Sequence, residues 1–572
     1  MRLAIKQYLS TLKESKELDA ILPDLLTVMG IKTISKPLIG TRQNGVDVAA
    51  IGKEPGEKDE KLFLFVIKCG DLGRKDWDSG EQSIRQSLND IDDVYIQNDI
   101  PVQYKNLKIK IILVTGGNLL QNINEQWIGF TKQHESENKT YAIWDGDILA
   151  SYFYDYLFNE NILLPEYRGL FRRALVKIED SSYNLEDFYR LFNLLIKDIP
   201  LNNSRKNQNL LFTSKLCLKI FIKWATDIEN YKHAINAAEY AVLTFWNLIK
   251  DKNLYKKKQV ITTWKKLYNE LFKSIIQNTN KFANLYCTSN GLNGYTKTLN
   301  SEIESLRVFE QLGFLAETGI LIFLEFARTR NKYYQDNFIN TSNLIEEVYN
   351  NHFCLLNPLY DSHTIEINMS LYVLFLNGKK DFITNILSNM IEHITYAYVS
   401  MEKYFPVYSD DFHDLIHENH ENKEDLFQIS TLLFWMLEWA CILKDQNLYE
   451  QIYQHIKKDF PKTFVEQWYP TTDSEKKIYT SNAGFGTGIT YICSPLPENI
   501  NEMSEIILQV RDKEIELKDF SCFIHGYPDL LFISSRHFRT PIIPEFLISI
   551  IKAENNSGVA DGADVRFEDK TV

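Results

Sequence analysis

Residues 44 to 70 read NGVDVAAIGKEPGEKDEKLFLFVIKCG. Asp47 follows a glycine turn and opens an apolar run, Lys68 closes a second run, and a charged loop joins the two. A carboxylate and an ammonium at the ends of paired strands suit phosphodiester hydrolysis. Mg²⁺ prefers oxygen ligands and keeps several waters, so a few carboxylates hold it beside a phosphate. The metal polarises a phosphoryl oxygen and activates water. A lysine stabilises the negative charge that develops. Asp71, Arg74 and Lys75 follow in KCGDLGRKDW. There they could line the mouth of such a site, Arg74 and Lys75 contacting a phosphate backbone.

These residues need a scaffold. KELDAILPDLLTVMG has helical apolar spacing and stops at Gly30. IKTISKPLIG, GVDVAAIG and KLFLFVIKCG read as three strands, with KEPGEKDE a solvated turn. SGEQSIRQSLNDIDDVYIQ opens a helix, Ser79 and Gln82 forming a capping box. LKIKIILVTGG is a strand, NINEQWIGFTKQHES a helix and KTYAIW a strand. DGDILASYFYDYLF is a helix capped by Asp145 or Asp147. A three-strand meander followed by βα crossovers predicts a mixed sheet flanked by helices over residues 1–165.

From residue 166 to 475 the chain is helix-dominated. Segments such as LEDFYRLFNLLIKDI and DLFQISTLLFWMLEWACILKD place apolar residues at helical spacing. No fixed period runs through the region, so an irregular solenoid or bundle is expected rather than a repeat array. Residues 476–555 loosen into a mixed segment expected to pack on the helical region. IYTSNAGFGTGITYICSPLP and FSCFIHGYPDLLFIS read there as short strands or irregular stretches. The tail 556–572 is small and acidic, a composition expected to be disordered. The fold class is thus a multidomain chain, α/β and then all-α.

Composition bounds the partners. The 572 residues exceed what one core can organise. The start of the chain is charged and amphipathic, unlike a signal peptide, and the most apolar stretches are short and carry Glu325 and Glu438. No membrane partner and a cytoplasmic location are expected. Seven scattered cysteines without a CxxC pair fit free thiols and argue against a zinc module. The formal charge is −13, of which residues 1–150 carry −3 (19 Lys/Arg, 22 Asp/Glu) and the remainder −10. Bulk charge therefore does not draw this chain to nucleic acid, and any such contact needs a local basic patch or a metal-loaded site.

The first part resembles the PD-(D/E)XK nuclease superfamily, and within it the Mrr-like restriction endonucleases. The resemblance covers roughly residues 5–160 and rests on order: a helix ending in LLTVMG, then Gly45-Val46-Asp47-Val48, then LFVIKCG, and finally IWDGDILA. It implies a restriction-endonuclease-like fold, Mg²⁺ (or Mn²⁺) as cofactor, and nucleic acid as substrate, DNA before RNA. In that family an acid two residues before the lysine shares its strand face, since strand side chains repeat with period two. Here positions 64, 66 and 68 are Leu64, Val66 and Lys68, so that ligand is missing. Two replacements stay open. One is Glu81 or Gln82 on the next helix, as in some members of the superfamily; both residues would also serve a helix N-terminus. The other is an acid on the first helix, Asp19 or the neighbouring Glu17, either of which would also suit an exposed helix face.

Other constellations are weaker. His413, His417 and His420 in HDLIHENH lack the spacing of a metalloprotease motif. Gly484, Gly486 and Gly488 lack the Lys-Ser/Thr of a phosphate loop and read as a turn. The expected function is a metal-dependent nuclease effector of prokaryotic restriction or anti-phage defence. Its helical region would sense a trigger, or assemble a homo-oligomer or partner complex. The alternatives are a degenerate nuclease fold acting as a binding or scaffold module, with Val66 recording the loss, and a helical sensor or interaction protein.

Overall fold

The computed structural model describes residues 2–35, 44–54, 57, 59–80, 83–157, 165–180, 182–197, 199, 205–251, 253–294, 301–403, 406–415, 427–481, 486–514 and 519–541. The chain divides into two compact units, residues 1–241 with 255–267, and residues 242–254 with 268–572.

The first unit is built on a five-stranded mixed sheet of order β1-β2-β3-β4-β5: β1 (Lys32–Ser35), β2 (Val48–Lys53), β3 (Glu60–Lys68), β4 (Lys108–Thr115) and β5 (Lys139–Trp144). The first three strands are antiparallel neighbours, and β3/β4 and β4/β5 are parallel. The meander and the crossovers have one origin. A short connection permits antiparallel pairing, as between β2 and β3, whereas parallel strands need the longer helical connections that follow β3 and β4. Apart from its ends β3 is almost wholly buried, as a central strand covered on both faces should be.

Helices α1 (Arg2–Ser10) and α2 (Asp19–Met29) precede the sheet, separated by a π-helical turn, Glu14–Leu18. Gly30 ends α2 in the left-handed conformation. After β3 come α3 (Arg74–Asp78) and α4 (Ile84–Asp90), with α5 (Gln121–His134) between β4 and β5 and α6 (Gly146–Leu157) after β5. Two details differ from the sequence expectation, and a third decides between the two caps it named. KCGDLGRKDW is not all loop: α3 forms there because Trp77 is pulled into the core, edge-on to Trp127 and Phe130. Ser79 ends α3, and the hydroxyl that caps α4 is Ser83, which accepts from the Gln86 N–H. Asp145, rather than Asp147, caps α6 through the N–H groups of Asp147 and Ile148.

The first unit also takes up helices beyond residue 165: α7 (Pro165–Lys177), α8 (Glu186–Lys197), α9 (Arg205–Asp227), the start of α10 (Tyr231–Asp251) and the start of α11 (Lys258–Tyr286). Lys215 of α9 reaches Asp24 of α2 at 2.9 Å and Phe212 stacks on Phe153. These helices therefore share a core with the sheet, although their periodicity reads like that of the helices further on.

The second unit is mostly helical, with long helices such as Ser301–Thr329 and Lys380–Ser400 and a three-stranded sheet of order β6 (Ile429–Ser430), β7 (Phe464–Tyr469) and β8 (Ile489–Ile492). DLFQISTLLFWMLEWACILKD is not helical throughout, since β6 lies at Ile429–Ser430 and the Ser430 hydroxyl caps the helix Thr431–Leu443 that follows. FSCFIHGYPDLLFIS, expected as short strands or irregular stretches, forms helices Ser521–Ile524 and Asp529–Phe538. The tail 556–572 lies outside the described residues. Among the described residues no helix is long and apolar enough to cross a membrane.

Candidate functional site

Asn44 and Gly45 turn the chain into β2 with φ of 47° and 83°. Gly45 is needed twice over, because a Cβ there would lie 2.1 Å from the Ser87 carbonyl oxygen and because its φ is left-handed. The turn delivers Asp47 to the end of the sheet. Its N–H donates to the Phe65 carbonyl, and its Oδ2 accepts the Ile67 N–H at 2.7 Å. Lys68 is the last residue of β3 and largely buried, with Nζ 3.4 Å from Glu14 Oε1.

Four charged groups meet here. Burial pushes the Asp47 carboxyl up to about 6; the Ile67 N–H and Lys68 pull it down, and Glu14 and Asp19 push it up further. Asp19 is the first residue of α2, and its Oδ1 is buried without a hydrogen-bond partner. Asp19, the acid expected from the first helix, thus acts electrostatically on Asp47, and so does Glu14. Glu17, the other candidate, turns back to accept the Lys13 N–H at 2.8 Å. Glu81 and Gln82 lie outside the described residues.

Val66 is fully buried in an apolar cluster with Val46, Leu64, Leu72, Trp77 and Ile84. An acid there would have to be desolvated among hydrocarbon, at a cost of several kcal/mol. The carboxylates at this site come instead from the π-helical turn and from α2. Glu14 escaped the sequence reading because its position depends on how that turn docks against β3. The only signal was the acidic run ESKELD before the first helix.

Arg74 and Lys75 are exposed at the start of α3. Asp71 accepts from the Asn118 backbone N–H at 2.7 Å and from its side-chain amide at 3.2 Å, so it ties two strand ends together. His413 is exposed; His417, His420 and Gly484 lie outside the described residues. Gly488 packs on Trp468, whose indole a Cβ would overlap at 2.2 Å, so this glycine serves close packing.

Among the described residues no three His, Cys, Asp or Glu side chains are grouped so that they could hold a metal ion. Mg²⁺ does not require three such ligands, since it binds through one or two carboxylates with water and substrate phosphate completing the octahedron. Asp19, whose Oδ1 has no hydrogen-bond partner, and Glu14 both act electrostatically on the Asp47 carboxyl. No protein-family model, curated protein or solved structure matches the chain.

Proposed function

We propose that the first unit is a restriction-endonuclease-like domain and that the chain is a metal-dependent nuclease. The observation that carries this reading is the convergence of Asp47, Lys68, Glu14 and Asp19 at the ends of β2 and β3. The strand order, an antiparallel meander leading into parallel crossovers, supports it. Asp47 and Asp19, with Glu14 close by, would hold Mg²⁺ or Mn²⁺. When bound, the metal would polarise the scissile phosphate and supply an activated water. Lys68 would leave Glu14 for the phosphate and offset the charge that builds on it. The raised carboxyl of Asp47 favours a cation, because burial has already removed the water that would solvate its charge. DNA in a prokaryotic restriction or anti-phage setting is the proposed context. The second unit is proposed as the sensing or assembling part.

A second reading is a binding module whose nuclease site has decayed, and Val66 is the observation in its favour. The test is incubation of the full chain with plasmid, linear duplex, single-stranded DNA and RNA, with Mg²⁺, with Mn²⁺ and with chelator. Metal-dependent cleavage lost in Asp47→Asn supports the nuclease. Binding of any of these without cleavage under any metal supports the decayed site.

A further inference from the structure

The small sheet of the second unit has an open edge. β8 is its last strand, and among the described residues no strand pairs with the outer side of β8. The Cys493 N–H reaches the Val465 carbonyl at 2.9 Å, so Cys493 faces β7, and Tyr491 and Ile489 face it too because antiparallel residues alternate in this respect. Thr490 and Ile492 therefore turn their backbone N–H and C=O away from the sheet. Both residues are exposed, Ile492 at 49%. Such an edge is a template for another strand unless charge, proline or a covering element blunts it. The sequence of β8, ITYI, contains neither charge nor proline.

β8 also borders a groove of about 920 Å³. Tyr491 and Cys493 line it from one face of β8, since strand side chains two apart share a face. Phe464, 54% exposed, lines it from the start of β7, and Ile456 and Phe460 line it from the end of helix Gln446–Asp459. The floor is thus largely apolar and aromatic. Helix Ile500–Glu514 supplies charge. Glu502 and Glu505 stand three residues apart on one side of it, both exposed and both in the lining. Neither has an ion-pair partner among the described residues. The third carboxylate of the lining, Glu498, is already engaged by Lys457 Nζ and the Tyr453 hydroxyl, each at 3.3 Å. Lys462, the other lysine of the lining, has a contact of its own. The surroundings have the same sign. The first unit holds 36 Lys/Arg against 33 Asp/Glu, a formal +3, and the second holds 27 against 43, a formal −16. This field disfavours an anionic ligand and attracts a cationic one.

We infer that the β8 edge and its groove form a docking site for an extended segment of a partner protein, mainly apolar and carrying lysine or arginine. The segment pairs with the outward groups of Thr490 and Ile492. The side chains on one of its faces enter the groove, apolar ones against Tyr491 and Phe460 and cationic ones against Glu502 and Glu505. In this mode main-chain hydrogen bonds supply affinity, and the pockets for alternate side chains supply specificity. The inference rests on the sensing or assembling role proposed for the second unit, and it is independent of the nuclease reading.

The test is fluorescence anisotropy of the full chain with three labelled nonapeptides. The first is built of valine and threonine with two lysines two residues apart. The second has glutamates in place of the lysines, and the third is the lysine peptide with its backbone amides N-methylated. The lysine peptide should bind, and the other two at least tenfold more weakly. Ile492→Pro removes an N–H that points outward and leaves the pairing with β7 intact. It should weaken the lysine peptide tenfold or more, with an unchanged unfolding midpoint. Glu502→Gln/Glu505→Gln should weaken it roughly three- to tenfold and flatten its salt dependence. Equal affinity for the lysine and glutamate peptides overturns the inference. So does binding that survives both N-methylation and Ile492→Pro. A wild type that binds no peptide also overturns it, and a dimer that dissociates in Ile492→Pro would then assign the edge to a second copy. Lysine-peptide binding of the expected pattern, in a chain that cleaves no nucleic acid, upholds the docking site and removes only the nuclease reading.

Discussion

Asp47 carries the sharpest prediction at the scale of a single residue. Its folded carboxyl titrates near 6, against a usual value of 3.8. Between those values the folded chain holds a proton that the unfolded chain has released. Stability attributable to this group is therefore lost as pH rises from about 4 to about 6, and it stays lost above. Asp47→Asn keeps an oxygen to accept the Ile67 N–H and removes the buried charge. It should raise the unfolding free energy at pH 8 by about 1–3 kcal/mol, with little change at pH 4. Thermal or urea unfolding at the two pH values checks this; equal effects at both would show that the carboxyl is not strained. The same titration should appear in function, with cleavage falling as pH drops through about 6. The other residue-scale lesson is Val66. Read alone, it looked like a lost ligand. Its burial among Leu64, Leu72 and Trp77 shows a core residue. The function of that position, if retained, has moved to side chains that arrive from α2 and the turn before it.

At the scale of elements, the strands and most helices were legible because their apolar residues repeat at the period each element demands. β2 and β3 could be read from their alternation and their turn, and α2 from its spacing and the glycine that stops it. Short apolar runs were not legible. FSCFIHGYPDLLFIS satisfies either period, and burial of Asp529–Phe538 within the second unit decides for helix. Caps were legible in type but shifted, Ser83 acting in place of Ser79, because the exact start of α4 follows the docking of α3. Helix Thr431–Leu443 supplies a prediction of its own. Glu438 is 2% exposed, and neither carboxylate oxygen has a hydrogen-bond partner. Burial pushes its carboxyl up to about 8. The folded state thus keeps a proton that the unfolded state gives up above about 4.5, and stability falls as pH climbs from there to about 8. Glu438→Gln should raise the melting temperature at pH 8, by an amount corresponding to a few kcal/mol, and by less at pH 5. A shift of equal size at both pH values would contradict the assignment.

At the scale of the molecule, the charge census separates two roles that the total of −13 conceals. A weakly basic unit carries the carboxylate–lysine group, and a strongly acidic unit is unsuited to a bare polyanion and better suited to protein contacts. In the second unit Tyr396 and Val399 stand 61% and 56% exposed near the end of helix Lys380–Ser400, and Met401 follows at 55%. Such apolar anchors suit an interface. The proposed reading therefore expects a homo-oligomer or a retained partner, which would also give a double-strand cutter two sites. Light scattering on the full chain at micromolar concentration should give a mass above that of one chain; a monomer purified without a partner would contradict it.

The central claim is that Asp47, Lys68 and the helix-borne acids work as one catalytic unit despite Val66. Single-turnover cleavage of a duplex in Mg²⁺ or Mn²⁺, by the wild type, Lys68→Ala and Asp47→Asn/Lys68→Ala, tests it most directly. The account predicts metal-dependent cleavage that drops by about a hundredfold or more in Lys68→Ala, with little further loss in the double variant, because residues acting together are not additive. A wild type no faster than its chelated control, or Lys68→Ala cleaving at the wild-type rate, would contradict it.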